Sequence, residues 1–118
     1  MLFRSLVAEY LLSVGANVDS ENNNKWTALS VAAEKGYIDI CQLLVSNGAN
    51  LEHRDSKGDT PLTLAAYNKH YHVAEYLLSV GANVDSKDDL KRSALSWAAG
   101  MGYLDMCQLL VKIGRAHV

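Results

Sequence analysis

The chain has 118 residues, 49% of them apolar and 20% charged, with a single proline. That balance belongs to a folded globular chain rather than a disordered or collagen-like one. The net charge of −2 offers no basic stripe for phosphates, so nucleic acid is not an expected partner, and no apolar run reaches the roughly 20 residues that insert across a membrane.

At the start of the chain, MLFRSLVAEYLLSVGA combines an arginine, an apolar stretch and small residues, as a signal peptide does. An internal duplicate argues otherwise. Val7 to Ser20 reads VAEYLLSVGANVDS, and Val73 to Ser86 repeats it without a change. The internal copy cannot be a cleaved leader, so the segment reads as a structural helix. The copies lie 66 residues apart, and a looser one, ICQLLVSNGAN from Ile40 to Asn50, falls midway. The period is therefore 33 residues. Thr27-Ala28-Leu29, Thr60-Pro61-Leu62 and Ser93-Ala94-Leu95 keep that step, as do Gly15, Gly48, Gly81 and Gly114. Segments 27–48 and 93–114 agree at 14 of 22 positions, which points to a duplicated two-repeat cassette. Units of this size cannot bury an apolar face alone and must stack on neighbours.

Met1 aligns with Tyr67, so the first repeat, about 1–21, supplies only its second helix. Repeats 22–54 and 55–87 are complete and a partial fourth covers 88–118, all within one domain spanning 1–118. Neither end shows a polar capping repeat, and the chain is expected to be a fragment of a longer array. The third repeat shows the local logic best. Asp55-Ser56-Lys57-Gly58 is turn chemistry. Thr60 caps a helix with Pro61 in its first position, and Leu62, Ala65 and Ala66 form its apolar stripe. Lys69-His70 breaks that helix. A second runs from about His72 to Ser79, burying Val73, Ala74, Leu77 and Leu78, and Gly81 ends it. Ala82 to Asp85 leads outward into the next turn, and the projecting loops are expected to pair as hairpins.

D-x-x-G-x-T-P-L-x-x-A-A followed by x-V-x-x-x-L-L-x-x-G-A, in 33 residues, resembles the ankyrin repeat. Asp55, Gly58, Thr60, Pro61, Leu62, Ala65, Ala66, His70, Val73, Leu77, Leu78, Gly81 and Ala82 carry the likeness, which extends over essentially the whole chain. It implies an all-α solenoid of stacked helix-turn-helix pairs with β-hairpin loops. It also implies a non-enzymatic, monomeric scaffold or adaptor that binds another protein. The alternatives are a targeting module of a larger enzyme, such as a kinase or ubiquitin ligase, and part of a long membrane-skeleton array.

The sequence departs from the family at several positions. Ser30, Thr63 and Ser96 replace a histidine, and Lys69 replaces the glycine between helices that Gly36 and Gly102 keep. Lys25 and Lys91 stand where the third repeat has Gly58, so their turns are expected to differ in type. By the resemblance, partners bind the loop tips and the inner face of the first helices. At the tips these positions are Asn23, Asn24, Trp26, Ser56, Lys57, Asp59, Asp89, Leu90 and Arg92, with Arg54 and Lys87 just before them. On the helices they are Glu34, Lys35, Tyr67, Asn68 and Met101. Trp26, Tyr67 and Arg92 are the expected anchors, since such residues dominate interface energetics. Trp97 and Tyr76 replace aliphatic residues of other repeats and read as core.

No residue pattern announces chemistry. Cys41 and Cys107 occupy equivalent positions in separate repeats, read as small buried apolar residues, and suit a reducing intracellular compartment, cytoplasmic or nuclear. His53, His70, His72 and His117 have no cysteine at ligand spacing, so neither metal nor cofactor is expected. No serine sits in a nucleophile motif, and every glycine reads as a turn or cap. The last six residues, Ile113 to Val118, read as the translation of a sequencing adapter, ATC GGA AGA GCA CAC GTC, where the repeat predicts Gly-Ala-Asn after Ile113. The nucleotide record checks this: adapter codons are expected, and different codons continuing into genuine exon would end the idea.

Overall fold

A hydroxyl residue begins each inner helix. Thr27, Thr60 and Ser93 have extended backbone, and their side chains accept the amides of Ser30, Thr63 and Ser96 at 3.2, 3.4 and 3.2 Å. This satisfies one of the donors that a helix start leaves open. The residues standing in for the family histidine therefore work locally: Ser30 Oγ also accepts the Thr27 amide, and Thr63 Oγ1 lies 3.2 Å from Thr60 Oγ1.

The computed structural model describes residues 15–116, with side-chain surroundings for 15–114. Six helices follow in order: α1 (Ala28–Lys35), α2 (Ile38–Ser46), α3 (Pro61–Tyr67), α4 (Tyr71–Ser79), α5 (Ala94–Met101) and α6 (Leu104–Ala116). The helix read near the start of the chain lies outside the described residues. Inner helices α1, α3 and α5 stack on one another, and outer helices α2, α4 and α6 form a second layer behind them. The described body measures 40 × 27 × 25 Å.

Small side chains set the spacing. Ala33, Ala65, Ala66 and Ala98 are fully buried, so the inner helices approach more closely than the outer ones. Leu29, Leu62, Leu77 and Leu110 fill the space between layers, each contributing about 1.5–3 kcal/mol. Neighbouring repeats provide this burial. Leu62 is 2% exposed beneath the next repeat, whereas its equivalent in the last, Leu95, is 37% exposed. Cys107, expected to be buried like Cys41, is only half-buried for the same reason.

Left-handed residues stop the helices. Gly36 and Gly102 close α1 and α5, and Lys69 takes the same conformation after α3 with φ 64°. A lysine there costs about 1 kcal/mol. Part of this is offset by its ammonium lying 5.5 Å from the centre of the Tyr103 ring in the next repeat. After α2 and α4, a left-handed glycine lets the buried Ala49 and Ala82 donate back to Leu44 and Leu77 at 3.0 and 2.9 Å. α6 instead runs on through Gly114, and Arg115 stands where the other repeats have that alanine.

The projecting loops are tighter than the expected hairpins. Among the described residues no strand forms, and the one β-bridge joins Lys87 and Ser93. Each loop is a closed finger, sealed by Asn22 N–H to Trp26 O, Asp55 N–H to Asp59 O and Asp88 N–H to Arg92 O at 2.9–3.0 Å. Lys25, Gly58 and Lys91 all have positive φ, at 62°, 82° and 64°, so the three turns share one type. This corrects the expectation of different turns: the finger imposes its backbone, and lysine accepts the strain.

Gly58 has a second constraint. A Cβ there would lie 2.7 Å from the Asp89 amide and equally close to the Arg54 guanidinium, which bridges to Asp89 at 3.5 Å. Gly102 shares the left-handed backbone but faces open space. Gly58→Ala should therefore destabilise by about 2 kcal/mol or more and Gly102→Ala by about 1 kcal/mol, read from urea unfolding midpoints.

Candidate functional site

The three fingers are strapped side by side. The Ser56 amide donates to Asn24 O and the Asp89 amide donates to Lys57 O, both at 3.1 Å. Within each finger the first residue organises the rest. Asn22 Oδ1 accepts the amides of Asn24 and Trp26, Asp55 Oδ1 those of Lys57 and Asp59, and Asp88 Oδ1 those of Leu90 and Arg92, all at 2.8–3.0 Å. Histidines tie adjoining repeats together. His70 Nε2 donates to Glu34 O at 2.8 Å, and His53 Nε2 lies 2.9 Å from both Lys25 O and Glu21 Oε2.

Between the fingers and the inner helices lies a groove of about 440 Å³. Asn24, Trp26, Asp55, Ser56, Lys57, Asp59 and Arg92 line it from the fingers. Glu34, Thr63, Leu64, Tyr67, Asn68 and Trp97 line it from the helices. A family model described as ankyrin repeats, in three copies, matches residues 3–88 and 53–118. The chain belongs to the ankyrin-repeat family. No curated protein matches it. Ankyrin repeats are in general protein–protein interaction modules, and among the described residues no helix is long and apolar enough to cross a membrane.

In this ankyrin array the groove gathers Asn24, Trp26, Glu34, Ser56, Lys57, Asp59, Tyr67, Asn68 and Arg92 from the residues expected to bind a partner. The others fall outside it. Asn23 and Leu90 project from finger tips, Leu90 being 72% exposed. Lys35 and Met101 are exposed near the ends of α1 and α5, Lys87 sits at the β-bridge, and Arg54 pairs with Asp89.

Trp97 corrects the sequence reading. It is not core but groove wall, meeting Tyr67 edge-to-face with ring centres 4.5 Å apart. The Arg92 guanidinium stacks 4.1 Å above its ring, and its indole N–H reaches Asp88 Oδ2 at 3.4 Å. A register signal was available: Trp97 is equivalent to Leu64, and Leu64 shares a helix face with Tyr67 three residues later. Tyr76, also read as core, is half-buried against it.

Two carboxylates differ sharply. Burial alone would raise the Asp88 carboxyl, but hydrogen bonds from the Arg92 amide and side chain and from the Leu90 amide hold it below its usual value. Asp59 has no such relief. Its Oδ1 is cut off from solvent without a donor. Burial, then the charges of Asp55 and Asp88, push its pKa up to about 6 against the opposing pull of Arg92 and Lys57. The Cys41 thiol is pushed up to about 12, chiefly by burial and then by Asp39, and is no nucleophile at neutral pH. Among the described residues no three His, Cys, Asp or Glu side chains are grouped to hold a metal.

An acid whose folded pKa is raised weakens the fold as it ionises, so Asp59 should lower stability progressively as pH rises from 3.8 to about 6. Asp59→Asn removes this slope. Urea unfolding across that window should show the variant gaining on the wild type as pH rises, with the gap constant above it.

Proposed function

We propose that the chain is a non-enzymatic recognition module that grips a partner protein in the groove between its fingers and inner helices. One observation carries this reading: Trp26, Tyr67, Trp97 and Arg92, the side-chain types that dominate interface energetics, meet in one groove on a scaffold already fixed by hydrogen bonds. The fingers are sealed at their bases and strapped at their tips, so little backbone entropy is lost when a partner docks. Tyr67 is 41% exposed, leaving area for a partner to bury. Repeats 22–54, 55–87 and 88–118 each contribute one finger to the surface, and the unpaired Cys41 and Cys107 suit a reducing compartment.

The test begins with a photo-crosslinking residue at position 67 to recover the partner. Trp26→Ala and Tyr67→Ala should each weaken the purified complex by about 2 kcal/mol, roughly 30-fold, while far-UV circular dichroism stays unchanged. Loss of helicity in step with loss of binding would make these side chains structural instead.

A further inference from the structure

We propose that the groove seats a lysine or arginine side chain of an extended partner segment, between the Trp26 and Tyr67 rings and against the carboxylates of Glu34 and Asp59. This rests on the groove's being the protein-binding face. The sign of the partner's charge follows from which groups are already satisfied. Arg92 is neutralised by Asp88, 2.9 Å from its Nε, and is stacked on Trp97. Asp55 uses its Oδ1 on two amides of its own finger. Lys57 lines the groove from an exposed tip, where solvent screens its charge. Glu34 and Asp59 remain, both lining the groove and neither carrying an ion pair among the described residues.

The unspent charge in the groove is therefore negative, and the raised pKa of Asp59 has the same origin. Asp55 and Asp88 crowd that carboxylate more than Arg92 and Lys57 relieve it. A cation docking beside Asp59 would supply the missing compensation, whereas an acidic segment would add to the repulsion. The aromatic side chains suit the same occupant, because a cation is attracted to a ring face. The fold already uses this contact twice, with Arg92 over Trp97 and Lys69 over Tyr103. The groove volume of about 440 Å³ falls in the range of pockets that enclose a ligand group.

The test uses capped glycine–serine peptides carrying an Arg-x-Arg pair, with citrulline and glutamate counterparts as the neutral and acidic controls. Each is titrated into the full chain while the indole N–H resonances of Trp26 and Trp97 are followed by NMR, with Trp97→Phe giving the assignment. The arginine peptide should shift Trp26 and bind about tenfold tighter than the citrulline peptide. Its affinity should fall as pH drops through about 6, the range in which Asp59 takes up its proton. Asp59→Asn should abolish that pH dependence and weaken binding about tenfold, and Glu34→Gln should weaken it further. Equal binding of the citrulline or glutamate peptide would overturn the proposal. So would an unmoved Trp26 signal with the arginine peptide. If Trp26→Ala and Tyr67→Ala still weaken the crosslinked partner in that case, the groove binds protein without selecting a cation. If they do not, the groove reading fails as well.

Discussion

Every feature of this molecule depends on burial that one repeat receives from the next. The alanines of the inner helices allow the close approach, and the leucines between layers gain from it. Leu62 and Leu95 occupy the same position in sequence and in helix, yet one is enclosed and the other largely open. The difference lies outside the repeat that carries them. Stability in such a structure is a sum over interfaces as well as over units. Because the stack sets the fingers side by side, it also fixes the groove.

The fingers extend the same dependence to polar groups. A carboxylate or amide at the base of each finger organises two backbone amides, and His70 bonds the Glu34 carbonyl of the preceding repeat while His53 reaches the Glu21 carboxylate of the one before its own. Below the fingers, Asp19 accepts the amide of Asn50, and Glu52 accepts the amide of Asn83, both at 2.9 Å. These bonds place polar atoms where the apolar stack alone would leave the loops free. Asp59 is the exception. Its buried oxygen has no donor, while Asp88 has its full complement of partners. The protein tolerates an uncompensated acid at one point of the groove.

Much of this could be read from residues alone. The 33-residue step located the helices of the third repeat within about a residue, because caps, proline and left-handed glycine act locally. Nine of the sixteen residues expected to bind a partner line one groove for the same reason: register carries them there. The failures came where tertiary packing overrode local chemistry. Lys25 and Lys91 adopt the backbone of Gly58 because the finger closure demands it. Trp97 looked like core because it stands where the other repeats have Val31 and Leu64, yet its neighbour across the stack is Tyr67, whose ring it meets in the groove. Nothing in the sequence showed that Asp59 would lose its solvation while Asp88 kept its partners.

The bonds between finger tips all point one way. Ser56 N–H donates to Asn24 O and Asp89 N–H to Lys57 O, so each later finger donates to the one before it. The middle finger donates through Ser56 and accepts through Lys57, so it is joined to the finger on either side. The row of fingers thus has a direction. Among the three described fingers, the first only accepts in these straps and the last only donates.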